Sequence, residues 1–132
     1  MPVVIPERLK YLLAKETKAF AHVALVKKDG MPQVTPTWFD YDGTHIFINT
    51  VRGHVKDKLM QRRPAVAISI QDPSDPYRHI EILGRVVEED EAGGRAMIDR
   101  LSQKYRGKDY SDWYKGETRV TYKVLPERIT QK

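Results

Sequence analysis

The residues best suited to chemistry lie between positions 33 and 56, where the chain reads QVTPTWFDYDGTHIFINTVRGHVK. Two β-rich runs joined by an Asp-Gly turn end in Asn49 and Thr50, and a basic loop then leads into a helix-like segment. In that loop, Gly53 can adopt a positive φ and bring the backbone close to a ligand. A helix start exposes unpaired N–H groups and a partial positive charge, so this layout suits an anion such as phosphate.

Three cations flank this glycine and strengthen the prediction of an anion site: Arg52, His54 and Lys56. Lys56 offers a compact point charge of the kind that binds phosphate. The loop is not a Walker loop, because the G-x-x-x-x-G-K-[ST] spacing is absent. An ordinary strand-to-helix turn explains the same residues, and the loop alone does not decide between the two interpretations.

The strand that precedes the Asp-Gly turn offers two different faces. Thr35 and Thr37 share one face, whereas Pro36 and Trp38 lie on the other. Proline cannot donate to a sheet ladder, so Pro36 predicts an edge strand, a bulge or a strand that faces a ligand. A tryptophan such as Trp38 either packs in a core or stacks on a ligand, and the core is the commoner outcome.

Two further segments combine aromatic and cationic side chains. A proline-rich loop at residues 72–76 leads into Tyr77 and Arg78, a pair common at interfaces, although a solvent loop with a packed tyrosine fits equally well. Residues 105–115 interleave aromatic and basic side chains, as platforms for single-stranded nucleic acid do. A cofactor lid or ordinary packing near the C-terminus gives the same pattern, so nucleic acid is not the expected partner.

Several classes of active site have no support in the sequence. The four histidines lack a zinc-type spacing and have no carboxylates clustered with them, so we expect no metal site. No serine lies in a G-x-S-x-G context, which argues against a serine hydrolase. The acidic run at residues 88–91 precedes a predicted helix, where carboxylates stabilise the N-terminus.

Composition places these residues in one small globular domain. The chain has 132 residues, of which 40% are hydrophobic and 31% charged, and this fits a single domain over residues 1–132. Its net charge of +5 favours anionic partners. It has no cysteine, no signal-type N-terminus and no apolar run of the ~20 residues that cross a membrane, so a cytoplasmic protein is expected.

The hydrophobic patterns predict an order of elements dominated by antiparallel hairpins. Helices are predicted at residues 6–18, 55–62 and 91–105, and strands at residues 21–26, 33–40, 45–49, 65–71, 78–88 and 118–125. No alternating βαβ pattern occurs, so we expect a mainly β (α+β) fold, a six-stranded antiparallel barrel with flanking helices. Such a barrel has little internal space, so a sizeable ligand would need a groove between subunits.

Several motifs, taken in their order and spacing, resemble a known family. The matching runs are PQVTPTWF at 32–39, DGTHIFINT at 42–50, GHVKDKL at 53–59, RPAVAISIQDP at 63–73, PYRHIEILGRVVE at 76–88 and PERI at 126–129. They resemble the pyridoxamine 5′-phosphate oxidase-like split barrels of the flavin/deazaflavin oxidoreductase superfamily. Within it, the chain is similar to the branch that uses the deazaflavin coenzyme F420, the FDOR-B type. The resemblance covers residues 9–129.

The resemblance implies an FMN-binding type of split barrel that forms a homodimer, with two cofactor sites at the subunit interface. The cofactor would be coenzyme F420, with FMN as the alternative. Its phosphate would bind the backbone near Gly53 together with Lys56, and its ring would lie along residues 33–38. The implied cofactor-binding residues are Gln33, Thr35, Pro36, Thr37, Trp38, Asn49, Thr50, Arg52, Gly53, His54, Lys56, Tyr77 and Arg78. The resemblance leaves open whether Tyr77 and Arg78 reach the site from the same subunit or from the other one.

One position departs from the usual family sequence G-R-x-K, because the chain has His54 where the family has arginine. Arginine is permanently charged and binds phosphate with two hydrogen bonds, whereas histidine is largely neutral at pH 7. Arg52, two residues earlier, is a candidate to replace the family's arginine, although its side chain would point in a different direction from a side chain at position 54. We expect cofactor binding to strengthen below about pH 6.5, where histidine ordinarily takes up a proton.

The resemblance implies an F420-dependent oxidoreductase, a reductase that passes a hydride from the reduced deazaflavin to an unsaturated organic substrate. An FMN-dependent oxidase or reductase of the same fold is the alternative, and a non-catalytic cofactor- or nucleic-acid-binding module is the third interpretation. Lys56, Lys58, Arg62 and Arg63 suggest a basic groove for the acidic tail of F420, which FMN lacks. The motifs name no catalytic residue.

Overall fold

In the computed structural model, which describes residues 3–130, the chain folds as one curled antiparallel sheet with helices packed against it. The strands are β1 (Ala21–Val26), β2 (Pro32–Thr37), β3 (Asp40–Tyr41), β4 (Ile46–Val51), β5 (Ala65–Asp72), β6 (Asp75–Asp90) and β7 (Arg119–Thr130). They follow in the order β2-β1-β5-β6-β7-β4-β3 across the sheet. This confirms the predicted antiparallel split barrel with flanking helices, with seven strands where six were expected.

The additional strand arises because the segment predicted as one strand over residues 33–40 divides into β2 and β3. Phe39 lies between them and is fully buried. Its backbone N–H donates to the hydroxyl of Tyr105 at 3.2 Å, and its carbonyl accepts from Nζ of Lys104 at 2.7 Å. Side chains from far along the chain therefore satisfy the backbone groups that a continuous strand would pair in a ladder.

The N-terminal helix predicted over residues 6–18 is wrong in type, because the segment forms two 3-10 helices, Glu7–Leu13 and Lys15–Thr17. Ala14 is extended between them, with ψ of 143°, and interrupts the helical path. Leu9 and Leu12 are nevertheless buried, since residues three apart lie above one another in a 3-10 helix.

The two α-helices are α1 (Val55–Arg62), whose predicted bounds are confirmed, and α2 (Gly94–Arg106). Helix α2 begins three residues later than predicted, because residues 91–93 form a turn in which the N–H of Gly93 donates to Asp90 at 2.8 Å. Within residues 3–130, no helix combines the length and apolar character needed to cross a membrane.

The edge position of β2 confirms the prediction made from Pro36. Strand β2 lies at one end of the sheet and pairs with β1 alone, so the missing N–H of Pro36 interrupts no ladder between two neighbours.

The inner face of the sheet holds the main core. Large side chains from five strands, the segment after β2 and the first 3-10 helix are almost fully buried there. They include Leu12, Val23, Phe39, Ile46, Ile48, Ile68, Ile70, Ile80, Ile82 and Tyr122. Residues alternate along a strand, so the neighbours of Ile46 and Ile48 in β4, namely Phe47 and Asn49, point to the outer face.

Helix α2 covers this outer face. Met97, Ile98 and Leu101 form a second apolar cluster to which Trp38 and Phe47 belong. The helix approaches β7 so closely that a Cβ placed on Gly94 would lie 2.0 Å from the carbonyl oxygen of Arg119. Glycine is therefore required where α2 begins, and this contact fixes the helix against the residues of the site.

Candidate functional site

A cleft of about 410 Å³ lies between α2, the end of β2 and β4. Its walls are mostly aromatic and aliphatic, with a few polar groups. The lining residues are Phe20, Pro36, Thr37, Trp38, Asn49, Ile98, Leu101, Tyr110, Trp113 and Arg119. A concave, largely apolar site with a few convergent polar groups is the usual form of a small-molecule site.

Four aromatic rings form a stacked column along this cleft. Phe20 stacks on Tyr105 with centroids 5.3 Å apart, Tyr105 on Trp38 at 5.2 Å, and Trp38 on Trp113 at 6.3 Å. The guanidinium of Arg106 lies 3.6 Å from the ring centroid of Trp113. Trp38 therefore packs against α2 and lines the cleft at once, which gives the site a flat apolar wall suited to a planar ring.

Helix α2 anchors the column through Tyr105. The Tyr105 hydroxyl donates to the carbonyl of Ala19 at 2.6 Å and accepts the N–H of Phe39. Burial raises the pKa of Tyr105, so the ring stays neutral at physiological pH. The preceding residue, Lys104, is half-buried between Phe39 and Tyr105, and burial lowers its pKa to about 8.

Asn49 forms the polar corner of the cleft. Its Nδ2 donates to the carbonyl of Gly94 at 2.9 Å and to Oγ1 of Thr121 at 3.1 Å. Its Oδ1 accepts from Nη1 of Arg119 at 3.3 Å. The amide is thus oriented by α2 and β7 together, so the predicted site residue Asn49 lies in the cleft in a fixed rotamer.

Arg119 connects this corner to a second cleft. Its Nη2 donates to the hydroxyl of Tyr110 at 2.9 Å and to Glu117 at 3.1 Å. The second cleft, of about 490 Å³, shares Tyr110, Trp113 and Arg119 with the first. It adds polar and charged side chains, and its further lining residues are Val51, His54, Asp112, Lys115 and Glu117. An apolar compartment is therefore continuous with one that carries more charge.

The loop between β4 and α1 borders the second cleft. Gly53 adopts φ of +94°, as predicted, and its N–H donates to Oδ2 of Asp57 at 2.8 Å. Burial by itself would raise the pKa of Asp57, but hydrogen bonds from Gly53, Tyr122 and Arg52 outweigh it and lower that pKa. A buried carboxylate thus closes the loop and fixes the start of α1.

Arg52 is fully engaged within the protein. Its guanidinium donates to Asp57 at 2.8 Å, to Glu89 at 2.8 Å and to Glu91 at 2.9 Å. The hydrogen bond with Glu89 is the main cause that raises the pKa of Arg52. Arg52 lines neither cleft, so its predicted contact with a cofactor stays a prediction, and its observed contacts tie the loop to β6.

Lys56 has the opposite surroundings. Its ammonium is half-buried, and burial and then the charge of Arg119 lower its pKa. Among the residues that the structure describes, no carboxylate pairs with it. A desolvated cation beside a guanidinium lacks a compensating charge, and an anion bound there would supply it.

The other predicted residues of this part of the chain have mixed positions. His54 is exposed at the start of α1 and makes no capping hydrogen bond. Thr35 has a buried Oγ1 without a hydrogen-bond partner, and Gln33 is half-buried on the same strand. Thr50 is buried opposite Val120 and alternates with Asn49, so it faces the core and not the cleft.

Tyr77 and Arg78 lie away from both clefts in the same chain. They follow the turn between β5 and β6, where Tyr77 is 89% exposed. Arg78 lies beside Tyr11 and Asp72, and a hydrogen bond with Tyr11 raises its pKa. Neither residue lines the clefts, and their contact with the site of a second subunit stays a prediction.

Sequence reasoning missed part of the lining. Ile98, Leu101 and Arg119 were not predicted as site residues, because each belongs to a segment that shows only an ordinary helix or strand pattern. Phe20 was also not predicted, because it falls between a predicted helix and a predicted strand. The aromatic and basic run at residues 105–115 was the available signal for Tyr110, since a cofactor lid was one of its interpretations.

Comparison with protein families identifies the fold and the family together. The family model described as pyridoxamine 5′-phosphate oxidase matches residues 5–132. No protein in a set of curated proteins matches the chain.

Solved structures give the same result at the level of the fold. A structure named F420 reductase is 30% identical, with a TM-score of 0.82, and the match covers 97% of this chain and 100% of the other. A proposed pyridoxamine 5′-phosphate oxidase from Listeria innocua is 23% identical, with a TM-score of 0.67 and 94% of both chains covered. A FAD-binding protein from Mesorhizobium loti is 20% identical, with a TM-score of 0.65 and coverage of 96% and 92%.

The family match spans nearly the whole chain. All seven strands, the residues that line the aromatic cleft and the loop at Gly53 fall within the matched residues. The chain therefore belongs to the pyridoxamine 5′-phosphate oxidase family, and it is a split-barrel protein of the flavin-type oxidoreductase class.

Proposed function

We propose that this protein is an F420H2-dependent reductase that reduces an unsaturated organic substrate. The observation that carries the proposal is the continuity of two compartments, a flat apolar cleft and a cleft beside unpaired positive charge, which share Tyr110, Trp113 and Arg119. A planar ring joined to a phosphate needs this combination. The similarity to a structure named F420 reductase supports the choice of cofactor.

The residues present fit such a cofactor. The stacked column ending in Trp38 and Trp113 offers a wall for the ring. The uncompensated ammonium of Lys56 and the exposed His54 would hold the phosphate. Asn49, fixed by α2 and β7, would orient the ring edge.

A basic cleft on α1 favours F420 over FMN. It has about 440 Å³ and is lined by Lys27, Lys28, Asp29, Val55, Lys58, Leu59 and Arg62. Within residues 3–130 none of its four cations forms an ion pair, and its single carboxylate accepts the N–H of Met31. This cleft begins at the same helix start as the phosphate loop, so an acidic tail leaving the phosphate would meet it at once.

Each part of the chain then has one task in the reaction. The bound cofactor supplies a hydride when reduced. The aromatic column and Asn49 would hold the ring in place, and Lys56 with His54 would hold the phosphate. The half-exposed Trp113 would limit the access of water to the cleft.

The experiment that tests the proposal is titration of the purified protein with F420 and with FMN, followed by tryptophan quenching, because Trp38 and Trp113 line the cleft. We expect F420 to bind more tightly, and its advantage over FMN to shrink at high salt as the tail contacts are screened. The double variant Lys58→Gln/Arg62→Gln should weaken F420 binding and leave FMN binding unchanged, with Lys10→Gln as the control.

Tighter binding of FMN than of F420 would favour the FMN-dependent oxidoreductase instead. Failure of both cofactors to bind would exclude both enzyme proposals.

We further propose that the protein acts as a homodimer. Val34, Ala24, Ala67 and Leu83 are cross-strand neighbours on four adjacent strands and form one apolar row. Val34 is 64% and Leu83 43% exposed, so the row lies on an outer face of the sheet in the single chain. A continuous exposed apolar row on a sheet is typical of an interface.

A further inference from the structure

Tyr110 is held more firmly than its place in a surface loop would require. Its backbone N–H donates to Oδ1 of Asp99 at 2.9 Å, and its carbonyl accepts the N–H groups of Trp113 at 3.0 Å and Tyr114 at 2.9 Å. Its ring packs edge-on against Trp38 and Trp113, with centroids 6.4 and 5.9 Å away. A side chain fixed at both its backbone and its ring is preorganised for a task at its tip.

The hydroxyl of Tyr110 has a proton to give. Its oxygen accepts a hydrogen bond from Nη2 of Arg119 at 2.9 Å, and no acceptor for its own hydrogen is found among residues 3–130. The guanidinium faces the negative charge that the oxygen would carry once the proton left, which is how a positioned cation assists an acid.

No other lining group of the aromatic cleft can serve as this acid. Apart from the indole N–H groups of its tryptophans, which do not ionise, the described polar groups there are Thr37, Asn49, Tyr110 and Arg119. Asn49 already uses both amide hydrogens on Gly94 and Thr121, and a guanidinium does not release its proton in a protein. Threonine is far too weak an acid at neutral pH, so the phenol is the ionisable acid of this cleft.

We infer that Tyr110 is the proton donor of the reaction and that the acceptor is a conjugated carbonyl compound. This inference rests on the proposed function. The bound, reduced cofactor would supply a hydride and become oxidised. As the new C–H bond formed, the π bond of the acceptor would break and its electron pair would move to the carbonyl oxygen. Tyr110 gives its proton to that oxygen, and water at the open mouth of the cleft returns a proton to the phenolate. Arg119 acts as a positioning residue.

The test compares Tyr110→Phe with the wild type and with Tyr114→Phe, a matched control in the same loop whose ring lies under Arg95 and lines neither cleft. Two properties are measured with menadione as the acceptor. One is quinone reduction by the cofactor-loaded protein, and the other is quinone binding to the cofactor-free protein, followed by tryptophan quenching.

The inference expects Tyr110→Phe to lower kcat by about 10²-fold or more, as loss of a general acid does. Cofactor affinity should stay at the wild-type level, and quinone affinity should fall severalfold in the cofactor-free protein because the carbonyl loses its donor. Tyr114→Phe should behave as the wild type in each measurement.

Three results would overturn the inference while leaving the proposed function in place: wild-type kcat in Tyr110→Phe, loss of cofactor binding in that variant, or a cofactor-loaded wild type that leaves menadione unreduced. A wild type that binds neither F420 nor FMN would instead remove the proposed function, and the inference with it.

Discussion

Two cations of the same loop, four residues apart, have opposite surroundings. Arg52 donates to three carboxylates, whereas Lys56 pairs with no carboxylate within residues 3–130 and is desolvated beside Arg119. The sequence alone favoured both as anion ligands. The distinction arises because β6 brings Glu89 against the loop, so the local charge balance depends on a strand far along the chain.

The surroundings of Lys56 lead to a prediction with two opposite effects. Lys56→Met should weaken F420 and FMN binding by about 10- to 100-fold, because a charge-assisted contact to the phosphate is lost. The same change should leave the cofactor-free protein at least as stable as the wild type, because it removes a desolvated, uncompensated charge. Cofactor titration and thermal unfolding measure the two effects.

Lys10→Met is the control, since Lys10 lies on the first 3-10 helix in an exposed pair with Glu7. Unchanged cofactor binding in Lys56→Met would contradict the assignment of the phosphate site.

At the scale of elements, α2 shapes the site more than any strand does. Its start fits against β7 only because residue 94 is glycine, and its last turns supply the groups that end β2 and anchor the aromatic column. Lys104 bonds the carbonyl of Phe39 and lies over its ring, but the surroundings that hold it also desolvate its charge.

Because of Lys104, the free energy of unfolding should vary with pH in the alkaline range. Its folded-state pKa of about 8 lies below the ordinary value of 10.5, so between these two pH values the unfolded chain binds more protons than the folded one. Stability therefore rises with pH through this window, and the cost of desolvating the ammonium is fully present below it. The wild type should gain free energy of unfolding relative to Lys104→Met between neutral pH and about pH 10.

Urea unfolding of the wild type and Lys104→Met at the two pH values measures the difference between their free energies of unfolding. The other titrating groups are common to both proteins, so their contributions cancel in this difference. Lys28→Met, which removes an exposed ammonium, is the control. A difference between wild type and Lys104→Met that does not change with pH would show that Lys104 is solvated in the folded protein.

At the scale of the whole molecule, the single chain leaves an apolar row uncovered and two predicted site residues away from both clefts. Tyr77 and Arg78 project from the turn between β5 and β6, and the row from Val34 to Leu83 crosses the outer face of the sheet. A second copy would cover the row and could bring this turn to a neighbouring site.

The dimer proposal predicts that Leu83→Glu converts the protein to a monomer, because a charge at the β6 end of the row would be buried unpaired on association. Sedimentation at micromolar concentration measures the change. Val4→Glu, at an exposed position outside the sheet, should leave the assembly of the wild type intact. A wild type that sediments as a monomer would contradict the proposal.

Local patterns were sufficient for much of the fold. The bounds of α1 follow from a helical pattern stopped by Pro64, and β1 follows from alternation ended by an Asp-Gly turn. The break at Trp38 and Phe39 could not be predicted this way, because Lys104 and Tyr105 satisfy the backbone there from about 65 residues further along the chain.

The sequence by itself determined that the strands pair as antiparallel hairpins, the glycine turn at the basic loop and the family to which the chain belongs, but not the order of strands across the sheet. These depend on neighbouring residues and on spacing. Only the tertiary structure decided which polar groups are free to act. Arg52 is neutralised, Lys56 is not, and Tyr110 holds an unused proton beside Arg119. Charge compensation and hydrogen bonding are set by distances between residues that only the folded sheet and α2 bring together.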